Sequence, residues 1–357
     1  MRHLTRLAAV AAAGLLVLTV PGPASAAPDD TSAGWLSRQL TDGLVHNQQY
    51  DFDDYGLTAD TAFALDAIGG HGADLKAIRR ALAAHVDSWT TGVDFGSDDV
   101  YAGSVAKAVV LAQVTGADPR AFGGVDLVKR LNGRVSDTAP VGRLEDRSTT
   151  DYANTIGQAF AARGLAVAGS AEAGEAIGYL LKQQCSQGFF RLGFAAKDAG
   201  KQGCDAGTKA ESAPDTDVTA LAVLNLRALP KGQRTAVVRA AIDDAVGWLK
   251  RHQKDNGSFG GGPATEASNA NSTGLAAWAL GDAGTCGKAR DAARWVKGLQ
   301  VSGDVSGTPL AGEKGAIAYD RAALRAAREN GIGTNEQDQW RRATSQAAPG
   351  LQYLACG

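Results

Sequence analysis

The sequence has few aromatic residues and almost no net charge. Its 36 basic and 38 acidic side chains are interspersed and leave a net charge of −2. A nucleic-acid-binding protein needs a basic surface to neutralise phosphates, so this balance argues against nucleic acid as a partner. Aromatic residues make up 6% of the chain, which disfavours a polysaccharide site built on stacked aromatic rings.

Long apolar runs are also scarce, since the only one extends from Leu7 to Val20. It is shorter than the ~20 residues that a membrane-spanning helix needs. Basic residues precede it, and Ala24-Ser25-Ala26 follows it as a small-residue cleavage site. This pattern indicates a signal peptide over residues 1–26 rather than a membrane anchor. We therefore expect a secreted (extracellular) protein without a membrane span.

Several short chemical motifs are missing. The sequence contains no Cys-x-x-Cys pair, no Cys-Gly-Glu-Gln thioester sequence, no Gly-rich phosphate loop and no Gly-x-Ser-x-Gly turn. These absences disfavour a zinc site, thioester capture, ATP chemistry and a serine hydrolase. We expect no metal and no cofactor.

The four cysteines allow three disulfide pairings. We expect Cys185–Cys204, which would close a polar, Gly-rich loop. We also expect Cys286–Cys356, which would pin the tail at residues 348–357 to the end of a helix. Two disulfides suit an oxidising, extracellular destination.

An internal repeat dominates the rest of the chain. Its pattern is an aromatic and an aliphatic residue, then Gln, then Gly-x-apolar. The copies begin at Tyr179-Leu180, Trp248-Leu249 and Trp295-Val296, and they continue with Gln184, Gln253 and Gln300, with Gly188, Gly257 and Gly303, and with Phe190, Phe259 and Val305. Repeats of this length indicate stacked helix pairs.

A helix rich in small residues follows each such segment, and six of these helices are expected. Polar residues favoured as helix N-caps stand at their predicted starts: Asp60, Ser104, Asn154, Asp217, Asn271 and Asp320. Glycines stand at five of their predicted ends: Gly69, Gly116, Gly169, Gly284 and Gly331. The sequence therefore predicts an all-α protein over residues 27–347, an (α/α)6 toroid with the Ala-rich helices inside. No hairpin is expected.

The segment from Val246 to Phe259 resembles the QW repeat of squalene and terpenoid cyclases and of prenyltransferase β-subunits. The family's last Trp is replaced by Phe259 here, and the good copies lie within residues 172–330. The resemblance implies an (α/α)6 toroid in which the Gln ties one repeat to the next. Fold-level resemblance alone does not fix a function.

In such a toroid, the N-termini of the inner helices would meet at one opening. This arrangement predicts a polar rim over an apolar cavity, with these residues as ligand contacts: Asp60, Tyr101, Asn154, Asn271, Tyr319 and Asp320, with Ser104 and Tyr152 near them. The alternative is that the polar residues only cap their helices.

The segment Asp215-Thr216-Asp217-Val218-Thr219-Ala220 is similar to the D-x-D-D-T-A signature of proton-initiated terpenoid cyclases. The resemblance implies that Asp217 is a catalytic general acid and Asp215 its partner, because burial keeps such a carboxyl protonated. Val218 departs from the signature. A second departure is that those cyclases use two helical domains. In the alternative interpretation Asp217 is an N-cap.

Two other sets of carboxylates have a spacing that could serve a cation or a glycosidic bond. Asp51, Asp53 and Asp54 form an acidic loop that is either solvated or a weak Ca²⁺ site. Asp60, Asp217 and Asp320 could supply the carboxylate pair of a glycosidase.

Three functions therefore stay open. The first is a secreted toroid that binds a small apolar or amphipathic ligand without catalysis. The second is a terpenoid-cyclase-like enzyme with Asp217 as general acid. The third is a cell-surface scaffold whose contact element is the loop from Cys185 to Ala213.

Overall fold

The computed structural model describes residues 31–356, so the predicted signal peptide lies outside the described residues. The helices of the described part are α1 (Ser32–Arg38), α2 (Tyr55–Ile68), α3 (Gly72–Ala84), α4 (Val86–Thr90), α5 (Ala102–Val114), α6 (Leu127–Asn132), α7 (Thr155–Val167), α8 (Ala173–Lys182), α9 (Thr216–Arg227), α10 (Ala236–His252), α11 (Ala270–Asp282), α12 (Cys286–Lys297), α13 (Arg321–Asn330) and α14 (Thr334–Ala347). A final 3₁₀ helix spans Ala348–Ala355.

Six helices form a closed inner ring, as predicted. They pack in the order α2, α5, α7, α9, α11, α14 and back to α2. Small residues let neighbouring helices approach: a Cβ added to Gly157 in α7 would lie 3.1 Å from Gly103 Cα in α5. The outer layer consists of α1, α3 with α4, α6, α8, α10 and α12. The fold is therefore an all-α toroid of six helix pairs.

The inner helices run in the same direction. Lys107 and Asp60, each six residues into its helix, form an ion pair between α5 and α2. Arg227 and Asp282, the last residues of α9 and α11, also pair. One end of the ring therefore carries the N-termini of the inner helices and the other end their C-termini.

The repeat's glutamine ties neighbouring units together, as the resemblance implies. Gln184 Nε2 donates to Ala241 O of α10 at 2.8 Å, and Gln253 Nε2 donates to Lys288 O of α12 at 2.9 Å. Gln300 Nε2 donates to Ser32 Oγ of α1 at 2.7 Å. This last bond joins the final unit to the first and helps to close the ring.

In the third copy of the repeat, which begins at Trp295, the predicted position of the Gly-x-apolar segment was wrong. Gly315 and Ile317 take the roles assigned to Gly303 and Val305. Gly315 has a φ of +100° and packs against Thr31 O of the next unit, as Gly188 and Gly257 pack against the next outer helices. Gly303 has open space around it. An insertion between Gln300 and Gly315 displaces the motif, so spacing alone pointed to the wrong glycine.

The sixth inner helix was also predicted wrongly. The helix that follows Tyr319 and Asp320 is α13, which buries only Leu324 and Ala327. The inner position belongs to α14, which packs between α11 and α2 and buries Trp340 and Ala343. Overall polarity does not distinguish the two helices, because α14 is as polar as α13; they differ in that α14 buries six residues along its length and α13 only two.

Several predicted helix starts were wrong by a few residues, although others are confirmed. Asp60 and Ser104 lie inside α2 and α5. Asp217 and Asn271 lie in the first turns of α9 and α11, whose N-caps are Asp215 and Asn269. Asn154 and Asp320 cap α7 and α13 as expected. The five predicted terminal glycines all have positive φ: Gly69, Gly116, Gly169, Gly284 and Gly331.

Contrary to the sequence prediction, the described chain contains a small antiparallel sheet. Its strands are β1 (Leu40–Thr41), β2 (Leu44–Asn47) and β3 (Phe52–Asp53), in the order β1-β2-β3. The first turn is Asp42-Gly43, where both residues have positive φ, at 52° and 87°. Asp-Gly between two short apolar segments is a hairpin signal that the sequence analysis overlooked.

Both predicted disulfides are present, Cys185–Cys204 and Cys286–Cys356. The second one ties the 3₁₀ segment after α14 to the start of α12. Among residues 31–356, no helix is long and apolar enough to cross a membrane.

Candidate functional site

A cavity of about 540 Å³ lies on the axis of the toroid. All six inner helices contribute to its wall, and about half of the contributed side chains are apolar. The main apolar contacts are Phe63, Val114, Ile156, Phe160, Leu221, Leu224, Leu275 and Trp278. Phe63 and Phe160 stack with their ring centroids 5.5 Å apart. The cavity has the size and lining of a small-molecule site.

Charged side chains interrupt this apolar wall. Asp60 Oδ1 lies 2.6 Å from Lys107 Nζ, and Arg227 pairs with Asp282 at the C-terminal end of the ring. Asp66 and Arg163 also line the cavity. Burial raises the pKa of Asp66, although Arg163 opposes the rise.

The disulfide-bound 3₁₀ segment closes part of the C-terminal end of the cavity. Its residues Gln352 and Tyr353 line the wall. Gln352 Nε2 donates to Ala67 O at 3.0 Å, and the Tyr353 ring packs so closely on Gly281 that an added Cβ would lie 2.4 Å from it. The tail of the chain is thus part of the cavity wall.

A second pocket of about 420 Å³ opens at the N-terminal end, between α2, α5 and α7. It contains the predicted residues Tyr101 and Asn154, together with Ser104 and Tyr152. Lys107, Ile156 and Phe160 line both pockets. The N-terminal pocket and the axial cavity are therefore adjacent.

The two aspartates at the start of α9 differ in their surroundings. Asp215 Oδ1 accepts hydrogen bonds from the backbone N–H groups of Asp217 and Val218, at 2.9 and 3.1 Å. Asp217 Oδ1 is buried and has no hydrogen-bond partner among the described residues. Burial and then the charge of Asp215 raise the pKa of Asp217, Ser272 opposes the rise, and the net result is a pKa of about 6. Asp217 is therefore a carboxyl that holds its proton unusually well.

Two of three consecutive glycines lie over this acid pair. A Cβ added to Gly262 would lie 2.4 Å from Asp215 Oδ2, and one added to Gly261 would lie 3.3 Å from Asp217 Oδ2. Only a backbone without side chains can approach the carboxyls so closely. This loop is a feature that sequence reasoning missed, and the run Gly260-Gly261-Gly262 was its signal.

Two of the other predicted ligand residues lie near Asp217. The pKa of Tyr319 is raised by burial and then by the charges of Asp217 and Asp320. Asn271 stands at the same place in α11 as Asp217 in α9, two residues after the N-cap, and its Oδ1 also lacks a partner among the described residues.

The predicted site residues thus divide among three places. Asp60 lines the axial cavity, and Tyr101 and Asn154 line the N-terminal pocket. Asp215, Asp217, Asn271 and Tyr319 cluster at the starts of α9, α11 and α13, with Asp320 as the cap of α13. The larger part of the cavity wall was not predicted. Phe160 and Trp278 were its signals, because each is the only aromatic residue in an Ala-rich helix.

The acidic segment at Asp51, Asp53 and Asp54 is divided between structural roles. Asp54 caps α2 and pairs with Arg342, while Asp53 Oδ1 lies 3.0 Å from His46 Nδ1. Within residues 31–356, no group of three or more His, Cys, Asp or Glu side chains is arranged to hold a metal ion.

Comparison with known proteins supports the fold and leaves the family open. No family model matches the chain, and no curated protein matches it in sequence. Solved structures do match. The type II terpene cyclase MstE from Scytonema aligns with a TM-score of 0.61 and 14% identity, over 91% of this chain and 96% of that one. A variant of MstE has been solved with its substrate, geranylgeranyl dihydroxybenzoate.

Two further structures share the architecture. The ent-copalyl diphosphate synthase from Streptomyces platensis aligns with a TM-score of 0.52 and 17% identity, over 85% of this chain and 50% of that one. A glycosidase aligns with a TM-score of 0.54 and 14% identity, over 91% of this chain and 95% of that one. Because 96% of MstE is matched by this one toroid, that terpene cyclase has no second helical domain of similar size. At these identities, the chain is similar to the terpene cyclases in fold alone.

Proposed function

We propose that the protein binds a small amphipathic molecule with a prenyl-type apolar part in its axial cavity, and that it does so without catalysis. The observation that carries this proposal is the cavity of about 540 Å³ enclosed by all six inner helices. Binding proteins commonly bury most of a ligand in cavities of 300–1,000 Å³ with a mainly apolar lining and a few polar groups.

The apolar part of the lining suits an isoprenoid chain. Ile156 and Phe160 lie one helical turn apart on α7, and the Phe63 ring of α2 stacks on Phe160. Aromatic and branched aliphatic side chains are good contacts for an isoprenoid chain, because burial of its carbons is favourable by about 25 cal/mol per Å². MstE, which has a similar fold, takes a geranylgeranyl substrate.

The proposal is tested by titrating the protein with farnesol and measuring the heat of binding by isothermal titration calorimetry. Saturable binding is expected. Ile156→Trp should abolish it because the larger ring would occupy the cavity. Val237→Trp is the matched control, since Val237 is 67% exposed. Binding that is absent from the natural protein, or unaffected by Ile156→Trp, would exclude the cavity as the site.

A second candidate function rests on the buried carboxyl of Asp217. Its pKa of about 6 and its unpartnered Oδ1 suit a general acid that donates a proton to a carbon–carbon double bond. Against this role, Asp217 does not line the axial cavity, and the glycine loop stands over it. We therefore place proton-initiated cyclisation behind ligand binding.

The two candidates are separated by a product assay. If the protein is a cyclase, incubation with squalene or geranylgeranyl substrates yields a cyclic product, and Asp217→Asn abolishes it. If it is a binding protein, no product forms and Asp217→Asn binds farnesol as the natural protein does. Asp255→Asn, at an exposed position, controls for the substitution itself.

We also propose that this binding takes place outside the cell. The two disulfides are consistent with an oxidising compartment. The signal peptide that we predict for residues 1–26 is tested by sequencing the N-terminus of the exported protein, which should begin near Ala27. Protein retained in the cytoplasm with its full N-terminus would contradict export.

A further inference from the structure

One basic side chain in the axial cavity has no partner among the residues that the structure describes. Lys107 and Arg227, which share the cavity wall, are paired with Asp60 and Asp282. Arg163 on α7 makes no hydrogen bond and no ion pair with any residue of the described range 31–356, and its pKa is lowered by burial. A guanidinium taken out of bulk water without a counter-charge costs free energy, so its position requires a reason.

Asp66 of α2 does not neutralise Arg163 by direct contact. It acts on Arg163 only through its charge, and the two residues form no ion pair. Burial also raises the pKa of Asp66, which favours its neutral form. The five donor N–H groups of Arg163 therefore have room for an acceptor from outside the chain.

A second polar group in the same wall also lacks a partner. Asn225 on α9 is 3% exposed, and its Oδ1 has no hydrogen-bond partner among the described residues. Its amide nitrogen donates to Leu221 O at 2.9 Å, which leaves the carbonyl oxygen directed elsewhere. Because α9 packs beside α7, the cavity offers an unused donor and an unused acceptor on neighbouring helices.

We propose that Arg163 binds the anionic head group of an amphipathic ligand, a carboxylate or a phosphate, whose apolar chain extends along α7 over Phe160 and Ile156. Ile156, Phe160 and Arg163 follow the i, i+4, i+7 spacing of one helix face, and all three line the cavity. This helix face therefore has a charged end at Arg163 and an apolar surface formed by Phe160 and Ile156. This inference rests on the proposed binding function and adds the chemical class of the ligand.

The test compares three probes with the same C15 chain: farnesol, farnesoic acid and farnesyl phosphate, titrated at pH 7.5. At least one anionic probe should bind about tenfold or more tightly than the alcohol, the ratio expected for a hydrogen bond to a charged group. The tighter of the two anions identifies the head group as carboxylate or phosphate.

Variants assign the preference to one residue. Arg163→Gln should bring the anion down to the affinity of farnesol, so that the ratio between the two affinities falls to about one. Arg163→Lys should retain part of the preference, because it keeps the charge and loses the bidentate geometry. Arg325→Gln on α13, at an exposed position, is the matched control and should change nothing.

The outcomes separate the two proposals. If the natural protein binds all three probes equally, the cavity remains a ligand site and the role of Arg163 is overturned. A preference for the anion that persists in Arg163→Gln overturns it as well. If no probe binds, the proposed function itself fails. The comparison of probes on the natural protein decides the matter even if Arg163→Gln does not fold.

Discussion

The backbone N–H of Asp217 donates a 2.9 Å hydrogen bond to Oδ1 of Asp215, two residues before it. Asp215 therefore caps helix α9, and Asp217 does not. The carboxyl that the sequence identified as a candidate acid is released from capping, and its Oδ1 is buried without a partner among the described residues. Because Asp215 is a helix cap and Asp217 is a buried carboxyl, the two side chains can be tested separately.

We predict that Asp217 makes stability depend on pH. Its folded pKa of about 6 exceeds the ordinary 3.8, so the folded protein holds this proton to higher pH than the unfolded chain. The free energy of unfolding is therefore unaffected below about pH 4, and it falls by roughly 1.4 kcal/mol per pH unit between about pH 4 and about pH 6. Between pH 4 and pH 7, the free energy of unfolding of Asp217→Asn should rise by roughly 2–3 kcal/mol relative to that of the natural protein. Urea unfolding at the two pH values measures this, and an unchanged difference would refute the buried-acid interpretation.

We predict that Asp215→Ala destabilises the protein by about 1–2 kcal/mol, because two backbone N–H groups lose their acceptor. Asp215→Asn should lose much less, since asparagine is also a good N-cap. Denaturant unfolding of both variants at pH 7 provides the comparison. Equal losses in the two variants would mean that the charge of Asp215, and not its capping, stabilises the fold.

We predict that the glycine loop over the acids does not accept a side chain. A Cβ at position 262 would lie 2.4 Å from Asp215 Oδ2. Gly262→Ala should therefore lower the free energy of unfolding by about 1–3 kcal/mol, as overpacking usually does. Gly193→Ala is the control, because no heavy atom lies within 4 Å of its added Cβ. Thermal unfolding that shows the same midpoint for both variants would contradict the close approach of this loop.

We predict that the two disulfides differ in their contributions. Cys286–Cys356 closes 70 residues and Cys185–Cys204 closes 19. In the chain-entropy model, the first disulfide contributes about 4 kcal/mol to the free energy of unfolding and the second about 3 kcal/mol. Replacing Cys286 and Cys356 by Ser should also free Gln352 and Tyr353 from the cavity wall and weaken farnesol binding, whereas replacing Cys185 and Cys204 should leave binding intact. Equal binding by both double variants would show that the tail does not help to form the cavity.

The sequence was sufficient to predict the toroid because two separate features of the repeated segments indicate it. The aromatic and apolar residues of the outer helices specify the packing, and the three glutamines specify the links between units, including the Gln300–Ser32 link that helps to close the ring. The Cys185–Cys204 pairing followed from the polar segment that it brackets, and the Cys286–Cys356 pairing followed from the C-terminal tail that it pins. The sixth helix was misplaced because an insertion that contains α13 carries its own good N-cap, Asp320.

Helix starts were harder to predict because several segments offer two capping residues. A threonine four residues after the cap distinguishes them in three repeats. Thr58, Thr219 and Thr273 follow Asp54, Asp215 and Asn269 at this spacing, and each threonine hydroxyl accepts from the backbone N–H of the preceding unit's apolar residue. The three acceptor bonds explain why threonine recurs there.

The candidate site was predictable only in part, for a physical reason. Which side chains line the axis depends on how each inner helix is rotated, and the small residues of these helices give no strong apolar stripe to fix that rotation. Asp60 was placed in the cavity for the wrong reason, since it is not an N-cap. Arg163 was not predicted at all, because a single arginine in an Ala-rich helix has the same local pattern whether it faces solvent or a cavity.

The most direct test of the axial cavity as a ligand site is native mass spectrometry of the protein purified from its own culture medium. We expect a population heavier than the polypeptide by the mass of one small molecule, released on denaturation and absent from Ile156→Trp. A single species with the mass of the disulfide-bonded polypeptide alone, unchanged after incubation with farnesol or farnesoic acid, would contradict it.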